Sequence, residues 1–130
     1  MNSAYVTDTM ALILRLEKRK SSRHVKTIFE AVERGEVTLV IPALVLAEIG
    51  YLSERHRIDT NLAAVRDYCR HHSEVKIEPL SEDIIFKSFE IDDIPELHDR
   101  IIAGAAAFNN LSLITNDPEI SASKYVVTDW

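Results

Sequence analysis

Short apolar runs and longer amphipathic stretches succeed one another along the chain. Ala4 to Thr7 is apolar enough to be a buried strand, and Asp8-Thr9 is placed to cap a helix through Met10 to Arg19. Ser21 or Ser22 opens a second helix, in which Val25, Ile28, Phe29 and Val32 recur at helical spacing until Gly35 stops it. Thr38 to Ile41 reads as a second strand. Pro42 then suits the first turn of a helix running to about Arg55, and Asp59 or Thr60 opens a fourth through His71. On that fourth helix Ile58, Leu62, Val65 and Cys69 form an apolar stripe, which makes Cys69 a small buried side chain. Val75 to Glu78 is a third strand, and Ser81 with Glu82 and Asp83 starts a helix to about Glu90. A sixth helix begins near Pro95 to Asp99 and carries Ile101, Ile102, Ala105 and Phe108. Leu113 to Thr115 and Tyr125 to Thr128 complete five strands.

Strands that alternate with helices, and are apolar throughout rather than at every second position, predict an α/β fold with a parallel sheet covered on both faces. A chain of 130 residues with 46% hydrophobic content is long enough for one core, so residues 1–130 are expected to form a single domain. In open sheets of this kind ligands bind outside the carboxyl ends of the strands. Asp8 and Asp117 fall at that edge, each at or just beyond the end of an apolar strand.

Composition narrows the setting. No apolar run approaches the roughly 20 residues of a membrane span, and the first residues lack the order of a signal peptide. The single cysteine allows no internal disulfide. A cytoplasmic protein without a membrane partner is expected. The net charge of -6 opposes a polyanionic partner until its distribution is considered. Residues 1–72 hold 11 Lys and Arg against 9 Asp and Glu, whereas residues 73–130 hold 4 against 12. The basic residues cluster at Arg15, Lys18, Arg19, Lys20, Arg23 and Lys26, a tract that permits binding to a polyanion but also suits a solvated helix face.

Several familiar sites are missing: no glycine-rich phosphate loop, no Cys and His set for zinc, and no G-x-S-x-G elbow. His71 and His72, at a helix end, face solvent on this reading. What stands out is carboxylates in apolar surroundings. Glu48 has Leu44, Val45, Tyr51 and Leu52 at its helical neighbour positions, and Asp99 is flanked by Leu97, Ile101, Ile102 and Ala103. Taken singly, Asp8 and Asp117 suit caps or turns, Asp99 a helix N-terminus, and Glu48 an exposed break in the pattern. If the four meet, repulsion at about 5 Å and an effective dielectric near 20 is roughly 3 kcal/mol for each ionised pair. Such a cluster takes up protons or binds cations. All-oxygen ligation selects Mg²⁺ or Mn²⁺ over zinc, and a carboxylate pocket suits metal-assisted attack of water on a phosphodiester.

Four strings in order, YVTDTMALI at 5–13, IPALVLAEIGYL at 41–52, LHDRIIAGAAA at 97–107 and LITND at 113–117, resemble the signature blocks of PIN-domain nucleases, especially the VapC-type toxins of toxin-antitoxin systems. The resemblance implies a three-layer fold around a five-stranded parallel sheet of order 3-2-1-4-5. It also implies a Mg²⁺- or Mn²⁺-dependent endoribonuclease that leaves 5′-phosphate and 3′-hydroxyl ends. Carried across by position, Asp8 and Asp99 are the principal catalytic metal ligands, Glu48 completes the site directly or through water, and Asp117 is the fourth acid. Thr9 and Thr115 would orient those carboxylates, with plain cap and strand-end roles as the alternative; Asn116 suits a turn. The match also invites Arg100, though an arginine beside a carboxylate is often only a surface ion pair. Gly104 stands where the family more often has alanine, at about 1 kcal/mol of helix propensity. An RNA substrate, a cognate antitoxin and a homodimer are the implied partners. A non-catalytic PIN-like module for binding RNA or protein is the competing expectation.

Overall fold

The structure is a computed structural model describing residues 1–130. Five parallel strands, β1 (Ala4–Thr7), β2 (Thr38–Pro42), β3 (Val75–Glu78), β4 (Ser112–Ile114) and β5 (Thr128–Asp129), form one sheet in the order β3-β2-β1-β4-β5. The central strand β1 pairs Tyr5 with Leu39 on one side and with Ser112 on the other. The sheet is flanked by seven helices: α1 (Thr9–Leu16), α2 (Arg23–Glu33), α3 (Ala43–Glu54), α4 (Leu62–His71), α5 (Glu82–Ser88), α6 (Leu97–Asn109) and α7 (Pro118–Ser121). The expected sheet order is therefore present. One cluster of 26 buried residues, centred on side chains such as Tyr5, Leu12, Phe29, Leu39, Ile49 and Leu113, forms the core. Burial of each large side chain contributes about 1.5–3 kcal/mol, the main effect holding helices to sheet.

Most elements start where capping chemistry puts them. Asp8, Ser22 and Ser81 each accept a backbone N–H from three residues on. Gly35 turns the chain after α2 with a φ of 78°, which a side chain would strain. Three helices are joined by one part-buried polar network. Arg15 of α1 donates twice to Glu33 of α2, at 2.8 and 2.6 Å, and the Tyr68 hydroxyl of α4 donates to the same carboxylate at 2.6 Å. Burial by itself raises the Glu33 carboxyl, but these donors outweigh it and hold the group below its ordinary range.

Departures from the expected boundaries share one cause, side chains that take backbone partners. The first helix ends at Leu16 rather than Arg19, with Lys18 left-handed at φ 54°. Glu17 there turns to the next segment and accepts the N–H groups of Asp59 and Thr60 at 3.1 and 2.9 Å. Those two residues consequently do not open α4; Asn61 does, accepting from Ala64. On α4 only Val65 is fully buried, Leu62 is exposed and Cys69 is part-buried against the core rather than enclosed by it. Pairing of the last strand is displaced from Tyr125–Thr128 to Thr128–Asp129. The Lys124 and Tyr125 N–H groups are taken by Asp93 Oδ2 and Ser123 Oγ, so ladder bonds begin only with Leu113 N–H to the Val127 carbonyl at 2.8 Å. The short helix α7, capped by Asp117, has no counterpart in the apolar pattern. No helix is long and apolar enough to cross a membrane.

Candidate functional site

Three of the four acids sit where a strand or loop hands over to a helix N-terminus, at the carboxyl edge of the sheet. Asp8 follows β1 and caps α1, its Oδ1 accepting the Ala11 N–H at 2.8 Å, while its own N–H donates to the Ile114 carbonyl of β4 at 3.1 Å. Asp117 follows β4 and caps α7, its Oδ1 accepting from Glu119 and Ile120. Asp99 lies in the first turn of α6, where Glu96 rather than Asp99 is the cap. The positive ends of the helices favour negative charge at all three positions. Glu48 reaches the same place from the middle of α3, and its carboxylate accepts a 2.5 Å hydrogen bond from the Thr9 hydroxyl.

All four line a single cleft of about 390 Å³, together with Thr9, Asn116 and the apolar residues Met10, Leu52, Ile102 and Trp130. Thr115 is fully buried behind them: its hydroxyl accepts the Asp117 N–H at 3.1 Å and hydrogen-bonds the Asp8 carboxylate. Both threonines thus tie acids of the cleft to the frame. Arg100 does not take part; its Nε donates to the Ile94 carbonyl at 2.7 Å and its guanidinium lies over the Phe89 ring. Nor does either histidine of the His71-His72 pair, of which His71 bonds the Asp67 carbonyl and His72 packs against Tyr68.

The electrostatics follow from this crowding. Burial pushes the Asp99 carboxyl up to about 6, with the charges of Asp117, Glu96, Glu48 and Asp8 adding to the rise. Asp8 is raised as well, again chiefly by burial, although Thr115 and the Ala11 N–H pull it back. No lysine or arginine forms an ion pair with any of the four. No Lys or Arg therefore balances the negative charge of the cleft, and the donors are hard carboxylate oxygens. No three acidic or histidine side chains are drawn together as a closed ligand cage. Carboxylate oxygens are donors that hard divalent cations accept, and such a cation can take one or two of them directly while keeping several waters.

The topology and the cleft acquire a name from sequence comparison, in which the PIN domain family model matches residues 5–124. This chain belongs to the PIN domain family. PIN domains are in general nucleases. Among solved structures, VapBC2 of Rickettsia felis bound to a promoter DNA fragment is similar at 20% identity and TM-score 0.74, over 97% of each chain. DNA-bound VapBC of Salmonella typhimurium gives 16% identity and TM-score 0.69, over 99% of this chain and 98% of that one. VapC20 of Mycobacterium tuberculosis, a toxin that cleaves the sarcin-ricin loop, gives 17% identity and TM-score 0.65, over 94% and 96%. These likenesses are of fold. No curated protein matches the chain in sequence. Within this PIN domain, the cleft residue that sequence reasoning passes over is Trp130; its signal is a lone tryptophan directly after the last strand, at the edge already occupied by Asp8 and Asp117.

Proposed function

We propose that this PIN domain is a Mg²⁺- or Mn²⁺-dependent endoribonuclease, the toxin of a toxin-antitoxin pair, with Asp8, Glu48, Asp99 and Asp117 as its catalytic acids. The observation that carries this reading is the convergence of four carboxylates, uncompensated by Lys or Arg, in one cleft at the carboxyl edge of the sheet. Asp8 and Asp99 would hold the cation, with Glu48 and Asp117 completing its surroundings directly or through water. When bound, the cation supplies Lewis-acid polarisation of the phosphodiester and acidifies the attacking water. The chain's own residues do the rest. Thr115 and the Ala11 N–H fix Asp8, Thr9 fixes Glu48, and a carboxylate of the cluster accepts the proton that the attacking water gives up. In-line attack forms the new P–O bond as the P–O3′ bond breaks, and the departing 3′-oxygen takes a proton from solvent, leaving a 5′-phosphate and a 3′-hydroxyl.

RNA as substrate and an antitoxin as partner are supported by the fold shared with VapC20 and the VapBC complexes. A second copy of the chain is a further partner on this reading, and exposed Phe86, Phe89 and Leu97 are apolar surface that such association would cover. Purified protein with Mn²⁺ is expected to cut single-stranded RNA, and Asp8→Ala and Asp99→Asn to slow it at least about 100-fold, the scale of removing one group that stabilises the transition state. RNA that binds but stays intact, with metal binding shown by a rise in Tm, would replace the nuclease with a non-catalytic RNA-binding module.

A further inference from the structure

The lining of the acid cleft is chemically mixed: beside the four carboxylates it includes the apolar side chains of Met10, Leu52, Ile102 and Trp130. A phosphodiester held at the carboxylates would bring its neighbouring base beside them, and a flat apolar side chain in the lining is the surface suited to it. Trp130 is the one aromatic residue in that lining. It is part-buried, packed against the core while also lining the cleft.

The backbone that presents it is held from two directions. The Leu113 N–H donates to the Val127 carbonyl at 2.8 Å, and the Thr115 N–H to the Asp129 carbonyl at 3.1 Å, fixing β5 against β4. From α2, His24 Nε2 meets Asp129 Oδ1 at 2.8 Å. The same Thr115 that orients Asp8 and Asp117 through its hydroxyl thus positions the residue before Trp130 through its N–H. The backbone up to Asp129 is thus fixed, and the Trp130 side chain packs against the core, so an indole at this position gives up less freedom than one on a loose segment when a flat ligand covers it.

We infer that Trp130 is a base-stacking platform: its indole receives a nucleobase of the single-stranded RNA whose phosphodiester lies against the four acids. The inference rests on the nuclease reading above and adds the subsite beside the scissile bond. Stacking on an aromatic face is tolerant of base identity, so Trp130 contributes affinity and register rather than a strict sequence preference.

Trp130 is the only tryptophan in the chain, so its emission reports on this subsite alone. The test uses Asp99→Asn protein with Mg²⁺, which retains the RNA uncut. It is titrated with a short single-stranded RNA and with an abasic sugar-phosphate of the same length, while binding is followed separately by anisotropy of an end-labelled copy. Saturable quenching by RNA but not by the abasic strand is expected. Trp130→Ala should weaken RNA binding about 5- to 150-fold, and Trp130→Phe should restore most of it. RNA that binds with unchanged emission, and equally well to Trp130→Ala, would overturn the stacking role while leaving the nuclease reading intact. Absence of RNA binding here, together with absence of Mn²⁺-dependent cleavage by the unmutated protein, would overturn both.

Discussion

A carboxylate in the first turn of a helix is ordinarily stabilised in its charged form, yet Asp99 is pushed up to about 6 despite that position. Burial, the largest cause, together with the charges of Asp117, Glu96, Glu48 and Asp8 outweighs the helix dipole. The sign of its pH dependence follows. The carboxyl is higher in the folded protein than its ordinary 3.8, so its contribution to stability is complete below about pH 4 and is lost as pH rises through about 6. In chelator, Asp99→Asn should therefore gain Tm relative to the unmutated protein as pH is raised from 4 to 7. Adding Mn²⁺ at pH 7 should reverse the order, raising the Tm of the unmutated protein more than that of the variant. A Tm difference that is flat with pH would mean that Asp99 is not under this strain. Scanning calorimetry of the two proteins across that range decides it.

At the scale of elements, α6 is placed by a close approach that helix propensity does not anticipate. A Cβ on Gly104 would stand 1.9 Å from Ser88 Oγ and 2.9 Å from Ser88 Cα of α5, so glycine is what lets the two helices come together. Ser88 is itself committed, donating to the Ile84 carbonyl at 2.6 Å. Gly104→Ala gains about 1 kcal/mol of helix propensity. Overpacking costs about 1–3 kcal/mol, and a backbone atom among the clashes puts this site at the upper end. A net loss of about 1–2 kcal/mol is expected, readable as a fall in denaturant midpoint with an unchanged slope. Because α6 carries Asp99, the same variant should lower metal affinity although it touches no carboxylate. A more stable Gly104→Ala protein would show that α5 moves aside at little cost.

Over the whole molecule, the unpaired lysines near α1 lie apart from the acid cleft. A cavity of about 840 Å³ lies at the far end of α1 from Asp8 and is bordered by Arg15, Lys18, Arg19, Lys20 and Lys26, with Glu30 and Glu33. Arg15 is spent on Glu33, and Lys18, Lys20 and Lys26 form no ion pair. Eight helical residues put this basic end about 12 Å from the acid cleft. A net charge of -6 is thus compatible with the proposed RNA ligand, because the exposed lysines and the cleft acids occupy different ends of one helix. Reversing Lys18, Lys20 and Lys26 to Glu should weaken RNA binding. It should also flatten the slope of log affinity against log salt by up to about 2, at roughly 0.7 for each single-strand phosphate no longer neutralised. Mn²⁺ affinity, read from the Tm rise, should stay the same. An unchanged salt slope would place the RNA elsewhere on the surface.

Local sequence suffices for the alternation of elements and for the edge at which chemistry gathers. Continuous apolar runs such as Ala4 to Thr7 and Leu113 to Ile114 have one low-energy use, a strand buried on both faces, and caps such as Asp8, Ser22 and Ser81 are read within four residues. The same local logic puts Asp8 and Asp117 at the sheet edge. Glu48 and Asp99 are marked only as acids in apolar company; that they reach the same cleft depends on how α3 and α6 pack, and the roles proposed for them come from the ordered family blocks. It takes the folded chain to show that Glu17 claims the N–H groups of Asp59 and Thr60, and that Asp93 delays β5. The same holds for Arg100 facing Ile94, Gly104 admitting Ser88, and Trp130 lining the acid cleft. Each of these joins residues distant along the chain or set by the packing of helices, where short-range pattern and propensity hold no information about which partner is near.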